Sequence, residues 1–237
     1  GRQMMMHPTA VIPAQTQETV VPAQAGTHTE QAEPMPATNH TRKHLLHVGC
    51  GPARQDRLPE CFRISAWQEI RLDIDPSVQP DIVGTITDLG MLPDNCIDAI
   101  WSSHNLEHLH SYEVPLALAE FRRVLKDDGF ALITLPDLRA VARHIANDNL
   151  ADPLYISAAG PIHALDMVFG HQASLVAGNH YMAHRTGFTA STLGTSLIDA
   201  GFDEVRVHEG SRLDLWAIAT MPSTAAEVFD ELASVMQ

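Results

Sequence analysis

The chain contains few lysines, few aromatic residues and few cysteines. Lys43 and Lys126 are the only lysines, and the formal net charge is −14, from 15 basic and 29 acidic residues. A protein that binds nucleic acid usually presents a basic patch, so this charge balance predicts no nucleic-acid partner. A small neutral, polar or cationic molecule suits the chain better than a polyanion.

The three cysteines, Cys50, Cys61 and Cys96, are odd in number and lack the spacing of metal ligands. They predict no disulfide framework and no metal site, and they favour a reducing, cytoplasmic compartment. No run of about 18 apolar residues occurs, so no membrane span is expected. The first residues carry little basic charge and are interrupted by Pro8 and Pro13, which argues against a signal peptide.

The composition changes sharply near residue 42. Residues 1–41 are rich in Pro, Ala, Gln and Thr, which predicts a flexible tail. Residues 42–222 alternate apolar strands with helices, which predicts one α/β domain with a mainly parallel sheet. Residues 223–237 have the pattern of a C-terminal helix. Predicted strands within the domain include residues 44–50, 69–75, 81–86, 97–104 and 130–136, and predicted helices include 111–126 and 137–148.

Residues 149–190 interrupt this alternation. The segment is long, and it is rich in glycine and histidine with a few aromatic residues. A segment of this kind inside a compact domain predicts a lid over a ligand pocket. The alternative for each polar residue is an ordinary surface position. The candidate ligand-binding residues are His163, Asp166, Tyr181, His184 and Arg185.

A glycine-rich turn follows the first predicted strand in "LLHVGCGP", residues 45–52. Gly49 and Gly51 would leave the backbone bare, so that a ligand can approach it closely at the carboxyl edge of the sheet. Asp73 ends the next strand, 22 residues after Gly51. An acid at about this distance can bind ribose hydroxyls. Alternatively, Asp73 or Asp75 caps the turn before Pro76.

Five stretches together resemble class I S-adenosylmethionine-dependent methyltransferases, specifically a type-11-like subgroup that acts on small molecules. The resemblance covers about residues 44–220. It implies a Rossmann-like, seven-stranded, mainly parallel sheet with an antiparallel last strand. It also implies S-adenosylmethionine as the cofactor and a bacterial-type enzyme that methylates a small-molecule acceptor. The stretches are "LLHVGCGP", "IRLDID", "GTITDLGMLPDNCIDAIWSSHNLEHL", "EFRRVLKDDGFALITLPD" and "LIDAGFDEV".

The resemblance also implies roles for individual residues. Asp73 would hold the ribose, Asp88 would meet the adenine amino group, and Leu89 would contact the ring through its backbone. His47 stands where family members usually carry an acid, and Cys50 is interpreted as a small filler rather than a nucleophile. The implied cofactor-binding residues are His47, Gly49, Cys50, Gly51, Asp73, Ile74, Asp88, Leu89 and Ser103.

The motif "HNLEH", residues 104–108, matches the H-x-x-E-H pattern of some zinc hydrolases. That pattern needs both histidines on one helix face, whereas His104 ends a predicted strand. His104, and less directly His108, could instead remove a proton from the molecule being methylated. The alternative is that these rings only pack or cap a turn.

Three functions therefore stay open at this point. They are methyl transfer to a small molecule, a non-catalytic cofactor-binding partner subunit, and a metal-dependent hydrolase. A homodimer or a partner subunit is equally compatible with the sequence.

Overall fold

The computed structural model describes residues 42–233 and 235–236, and the predicted tail at residues 1–41 lies outside them. The strands are β1 (Lys43–Val48), β2 (Trp67–Asp73), β3 (Ile82–Val83), β4 (Ile97–Ser103), β5 (Leu125–Pro136), β6 (Tyr155–Ser157), β7 (Gly160–Ile162), β8 (Glu204–Glu209) and β9 (Asp214–Thr220). The α-helices are α1 (Val114–Val124), α2 (Leu138–Ala146), α3 (Ala164–Phe169), α4 (Gln172–Val176), α5 (Ala190–Asp199) and α6 (Glu227–Ala233).

Seven strands form one sheet in the order β3-β2-β1-β4-β5-β9-β8. β1 is parallel to β2 and β4, and β4 is parallel to β5. β9 is antiparallel to both of its neighbours, β5 and β8. The predicted Rossmann-like α/β fold, with seven strands and an antiparallel last strand, is confirmed. Because the strand order reverses between β1 and β4, a ligand crevice is expected at their carboxyl ends.

The central strands are apolar because both faces of the sheet are covered. Successive residues of a strand point to opposite faces, so neighbouring residues of β1 enter different cores. Leu46 packs with Phe121 of α1 and Leu197 of α5. Leu45 packs on the other face with Phe229 of α6. This two-sided burial explains why β1 is a continuous apolar run rather than an alternating one.

The helix predicted over residues 111–126 is shorter in the structure. α1 buries Val114, Leu118 and Phe121, as the helical spacing predicts. Leu116, by contrast, is 55% exposed. It lies two residues from Val114, about 200° around the helix, and therefore points away from the core. Leu125 follows directly as the first residue of β5, paired with Ile97.

The connection between β1 and β2 contains no α-helix. It forms two short 3-10 turns, Gln55–Arg57 and Glu60–Phe62. Pro52 and Pro59 each remove a backbone donor, which limits regular helix formation in this stretch. α6 packs on the same face of the sheet.

Residues 149–190 are built from small elements rather than one long loop. β6 and β7 form a hairpin, α3 and α4 follow, and a 3-10 turn spans His180–Met182. Val141 of α2 packs with Ala164 and Met167 of α3 in a separate small core. In the part of the chain that is described, no helix is long and apolar enough to span a bilayer.

Candidate functional site

The turn after β1 has the conformation that its glycines predict. Gly49 and Gly51 have φ values of +61° and +59°, a region that residues with a β-carbon rarely adopt. A β-carbon at Gly49 would lie 2.8 Å from Cγ of Asn105, and one at Gly51 would overlap the guanidinium of Arg57. A side chain at Gly49 or Gly51 is therefore disfavoured both by steric overlap and by the backbone conformation.

Asp73 is fixed against the glycine turn. Its Oδ2 accepts a hydrogen bond of 2.7 Å from the Gly51 N–H, and its Oδ1 accepts one of 2.9 Å from the Asp75 N–H. Asp75 takes the capping role instead, because its carboxylate accepts a hydrogen bond of 2.8 Å from the Ser77 N–H. Each oxygen of Asp73 keeps a second lone pair, which can accept a hydrogen bond from a ligand hydroxyl.

A cavity of about 620 Å³ lies above this turn, and we call it the Asp73 cavity. Its volume is within the usual range for small-molecule sites. One wall comes from the ends of β1, β2 and β4, and the opposite wall comes from residues 155–185. Predicted site residues from both walls line it: Gly49, Gly51, Asp73, Ile74, Ser103, His104, His108, Tyr181, His184 and Arg185.

A second cavity, of about 1000 Å³, lies beside the first, and we call it the tryptophan cavity. Trp101 and Trp216 stack on its wall with their ring centroids 5.7 Å apart. The Trp101 indole donates to the Arg57 carbonyl at 3.0 Å, and the Trp216 indole donates to Asp214 at 2.9 Å. The linings of the two cavities share Gly49, Arg57, Ser103, His104, Tyr155 and Ser157.

His104 stands where the two cavities meet. Its φ of +49° is unusual for a residue with a side chain, and its N–H donates to the Thr134 carbonyl at 2.8 Å. Its Nδ1 lies 3.2 Å from Oε1 of Glu107. Removal from water opposes protonation of the ring, but the hydrogen bond and charge of Glu107 outweigh it and raise the pKa of His104. β4 thus delivers a half-exposed imidazole to the carboxyl edge of the sheet.

Behind His104, Glu107 lies between three histidines. The Glu107 side chain is 1% exposed, and Nε2 of His184 lies 4.0 Å from its Oε1. Burial alone would raise the pKa of Glu107, but His104, His108 and His184 together lower it. Burial lowers the pKa of His184. His108 belongs to a 3-10 turn, Leu106–His108, so the α-helix that the H-x-x-E-H hydrolase pattern requires is not formed here.

Two residues that the resemblance implied for adenine binding do not line the Asp73 cavity. Asp88 is exposed, and its carboxylate accepts a hydrogen bond from the Gly90 N–H at 3.0 Å. Leu89 is fully buried, and its N–H and carbonyl bind Glu120 and Arg123 at 2.6 and 2.9 Å. Both backbone groups of Leu89 are thus already used inside the protein. Gly84, Thr85 and Ile86 line the cavity at this end instead.

Three further predicted residues also lie elsewhere. His47 lines the tryptophan cavity and binds Glu69 of β2 at 2.7 Å through its Nδ1. Cys50 is buried, and burial raises the pKa of its thiol to about 11, which fits a filler. His163 caps α3, with its N–H and ring both bonded to Asp166.

Sequence reasoning missed Asn105. This residue lies under Gly49 and lines the Asp73 cavity. Its Nδ2 is buried and has no hydrogen-bond partner within the described residues. Nothing in the spacing of "SSHNLEH" marks Asn105, because its position depends on the turn that follows β4.

The comparisons with known proteins agree with this geometry. Residues 46–133 match the family model of a methyltransferase domain. The resemblance to class I S-adenosylmethionine-dependent methyltransferases is confirmed. The cofactor prediction, S-adenosylmethionine, is confirmed with it. The matched residues include the glycine turn, Asp73 and His104, so the region similar to methyltransferases contains the cavity wall formed by β1, β2 and β4.

Solved structures are similar to this chain at low sequence identity. A protein from Pyrococcus horikoshii is 13% identical, with a TM-score of 0.53 over 77% of this chain and 84% of that one. A SAM-dependent methyltransferase from Archaeoglobus fulgidus is 18% identical, with a TM-score of 0.49 over 76% and 86% of the two chains. An N1-methyltransferase from Burkholderia thailandensis, solved with 1,6-didemethyltoxoflavin and S-adenosylhomocysteine, is 16% identical, with a TM-score of 0.49 over 78% and 73%. No curated protein matches the chain.

Proposed function

We propose that this methyltransferase transfers a methyl group to a small-molecule acceptor that binds in the Asp73 cavity, beneath residues 180–185. The observation that carries this proposal is the pairing of two different walls around one cavity. The bare glycine turn and Asp73 form one wall, and Tyr181, His184 and Arg185 form the other. An enclosed space of this size suits a cofactor next to a small molecule rather than a macromolecule.

The cofactor fits the wall formed by the glycine turn. Gly49 and Gly51 line the Asp73 cavity and carry no side chain, so S-adenosylmethionine would be able to lie close to their backbone. Asp73 would hold its ribose, and Asn105 offers an unused amide donor nearby. When bound, the cofactor supplies an electrophilic methyl group on a sulfonium. The residues around it contribute chiefly by positioning the reactants and excluding water.

His104 is placed to assist on the acceptor side. Glu107 fixes the ring through Nδ1, which leaves Nε2 available to take a proton from a hydroxyl or an amine of the acceptor. The interaction with Glu107 also keeps the imidazole in one orientation. His108 differs from His104, because its Nδ1 is bonded to the Ala183 carbonyl at 3.1 Å rather than to a carboxylate and its ring packs against His184.

Turnover tests this proposal directly. The full chain, incubated with S-adenosylmethionine and a panel of small hydroxyl, amine and thiol compounds, should form S-adenosylhomocysteine with at least one member. The methylated product, detected by mass spectrometry, then identifies the class of acceptor atom. Tight cofactor binding without turnover across the panel would favour a non-catalytic binding subunit instead.

A further inference from the structure

We propose that Glu107, His108 and His184 bind a divalent transition-metal cation, of the kind typified by Zn²⁺, in the wall of the Asp73 cavity. A carboxylate oxygen and one ring nitrogen from each histidine lie within 4.8 Å of one another. In a tetrahedral zinc site with bonds of about 2.0–2.2 Å, the ligand atoms are roughly 3.5 Å apart. Side-chain shifts of about 1 Å would therefore complete such a site.

The two histidines are already oriented as metal ligands usually are. Nδ1 of His108 donates to the Ala183 carbonyl at 3.1 Å, and Nδ1 of His184 donates to the Met167 carbonyl at 2.9 Å. A carbonyl can only accept, so Nδ1 carries the proton and Nε2 carries a lone pair in each neutral ring. Metal-binding histidines typically use their second nitrogen in this way, which fixes the tautomer and the direction of the ring.

Glu107 gives an independent observation in favour of a cation. The residue is 1% exposed, and its Oε2 is buried without a hydrogen-bond partner among the described residues. A buried, unpaired carboxylate oxygen is costly, so it calls for a partner. A cation held by Glu107, His108 and His184 would offset the burial of this carboxylate, whose Oε1 lies 4.0 Å from Nε2 of His184 and 3.2 Å from Nδ1 of His104.

The donor set indicates the chemical class of the metal. Two imidazole nitrogens and one carboxylate suit Zn²⁺, Fe²⁺, Co²⁺ or Ni²⁺ better than Mg²⁺ or Ca²⁺, which prefer oxygen. Three protein ligands also leave a coordination position for a further ligand. His108 and His184 line the Asp73 cavity, so an oxygen of the methyl acceptor could take that position. This last step rests on the proposed function.

The site would also connect two parts of the fold. Glu107 and His108 follow β4, whereas His184 belongs to residues 149–190, and the Glu107 carbonyl accepts hydrogen bonds from the N–H groups of Arg185 and Thr186. Bound metal would add a link between the cavity wall and the predicted lid. Metal should therefore raise the melting temperature of the protein, because it binds only the folded arrangement.

Metal binding can be measured without any methyl acceptor. The purified full chain is stripped with a chelator and titrated with Zn²⁺, and with Co²⁺ for its visible absorption. The variants are Glu107→Gln and His184→Ala, with His180→Ala as the control, an exposed histidine on the same segment. Wild type and the His180→Ala control should each bind one more equivalent of tightly held metal per chain than Glu107→Gln and His184→Ala. They should also show cobalt absorption and thermal stabilisation that both site variants lack.

Equal metal content and equal spectra in all four proteins would overturn the proposal. Glu107→Gln keeps the shape of the side chain, so it still gives an answer if His184→Ala does not fold. Binding of S-adenosylhomocysteine to the same samples separates this proposal from the proposed function. Loss of the metal site with cofactor binding intact would refute only the metal site. A metal site in a chain that binds no cofactor would refute only the methyltransferase assignment.

Discussion

The two neighbouring cavities differ in how their polar groups are held. In the smaller Asp73 cavity, backbone groups fix the side chains, as the Gly51 and Asp75 N–H groups fix Asp73. The larger tryptophan cavity contains two stacked indoles whose N–H groups are already bonded to Arg57 and Asp214. The difference indicates that oriented, still available polar groups identify a binding site better than volume does.

The largest expected effect concerns His104, at the junction of the cavities. His104→Ala should lower turnover by about 10²–10⁴-fold, the usual range when a proton acceptor is lost. Cofactor affinity should change little if, as we propose, the ring lies on the acceptor side of the site. Steady-state kinetics with the identified acceptor provides the measurement. A variant that keeps turnover within a few-fold of wild type would reduce His104 to a packing role.

A smaller effect, on cofactor affinity, is expected from the substitution of Asp73 in the Asp73 cavity. Asp73→Ala should weaken binding of S-adenosylmethionine by about 1–3 kcal/mol, because ribose hydroxyls lose their charged hydrogen-bond partner. Calorimetry on the folded variant measures this change. Asp75→Ala is the matched control, since Asp75 caps a neighbouring turn through Ser77. Unchanged affinity in Asp73→Ala would exclude this residue from the site.

A still smaller effect on cofactor binding is expected from a substitution in the tryptophan cavity. Trp216→Ala removes the ring stacked on Trp101 and should lower thermal stability, because the side chain is partly buried. Cofactor affinity should stay within about twofold of wild type, because Trp216 does not line the Asp73 cavity. A large loss of cofactor affinity in a folded Trp216→Ala protein would break the distinction between the two cavities.

A separate prediction, without any effect on cofactor binding, concerns the cysteines beside each cavity. Burial raises the pKa of both Cys50 and Cys61 to about 11, so little thiolate exists near pH 8. Alkylation in the folded protein should be slower by about 100-fold than in urea, where ordinary thiol pKa values return. Because the folded pKa values are raised, these thiols stabilise the fold below about pH 9, and that contribution is lost as the pH rises towards 11. Rapid labelling of Cys50 in the folded state would contradict its burial.

The sequence predicted the parts of the site that depend on strand order. Parallel strands bring their carboxyl ends to one edge of the sheet, so the glycine turn, Asp73 and His104 were expected to meet there. The apolar runs also predicted individual strands, whereas the seven-stranded sheet with its antiparallel last strand was implied by the family resemblance. Individual strands depend on local patterns that a single sequence contains.

The remaining differences come from contacts between distant residues. Leu89 was expected at the cofactor, but Glu120 and Arg123 on α1 bind its backbone from 31 and 34 positions away. The approach of His184 to Glu107 likewise joins residues 77 positions apart. No rule of sequence spacing predicts either of these contacts. Which of Asp73 and Asp75 caps the turn depends instead on the exact turn after β2, which the residue types alone do not define.

Hydrogen exchange with and without S-adenosylhomocysteine tests most directly whether the cofactor occupies the Asp73 cavity. Protection should increase in peptides that cover residues 49–51, 72–75 and 84–86. With a methyl acceptor also present, it should extend to residues 180–186. Peptides that cover residues 58–64 and 211–216, beside the tryptophan cavity, should exchange as in the free protein. Protection confined to residues 58–64 and 211–216 would contradict the account.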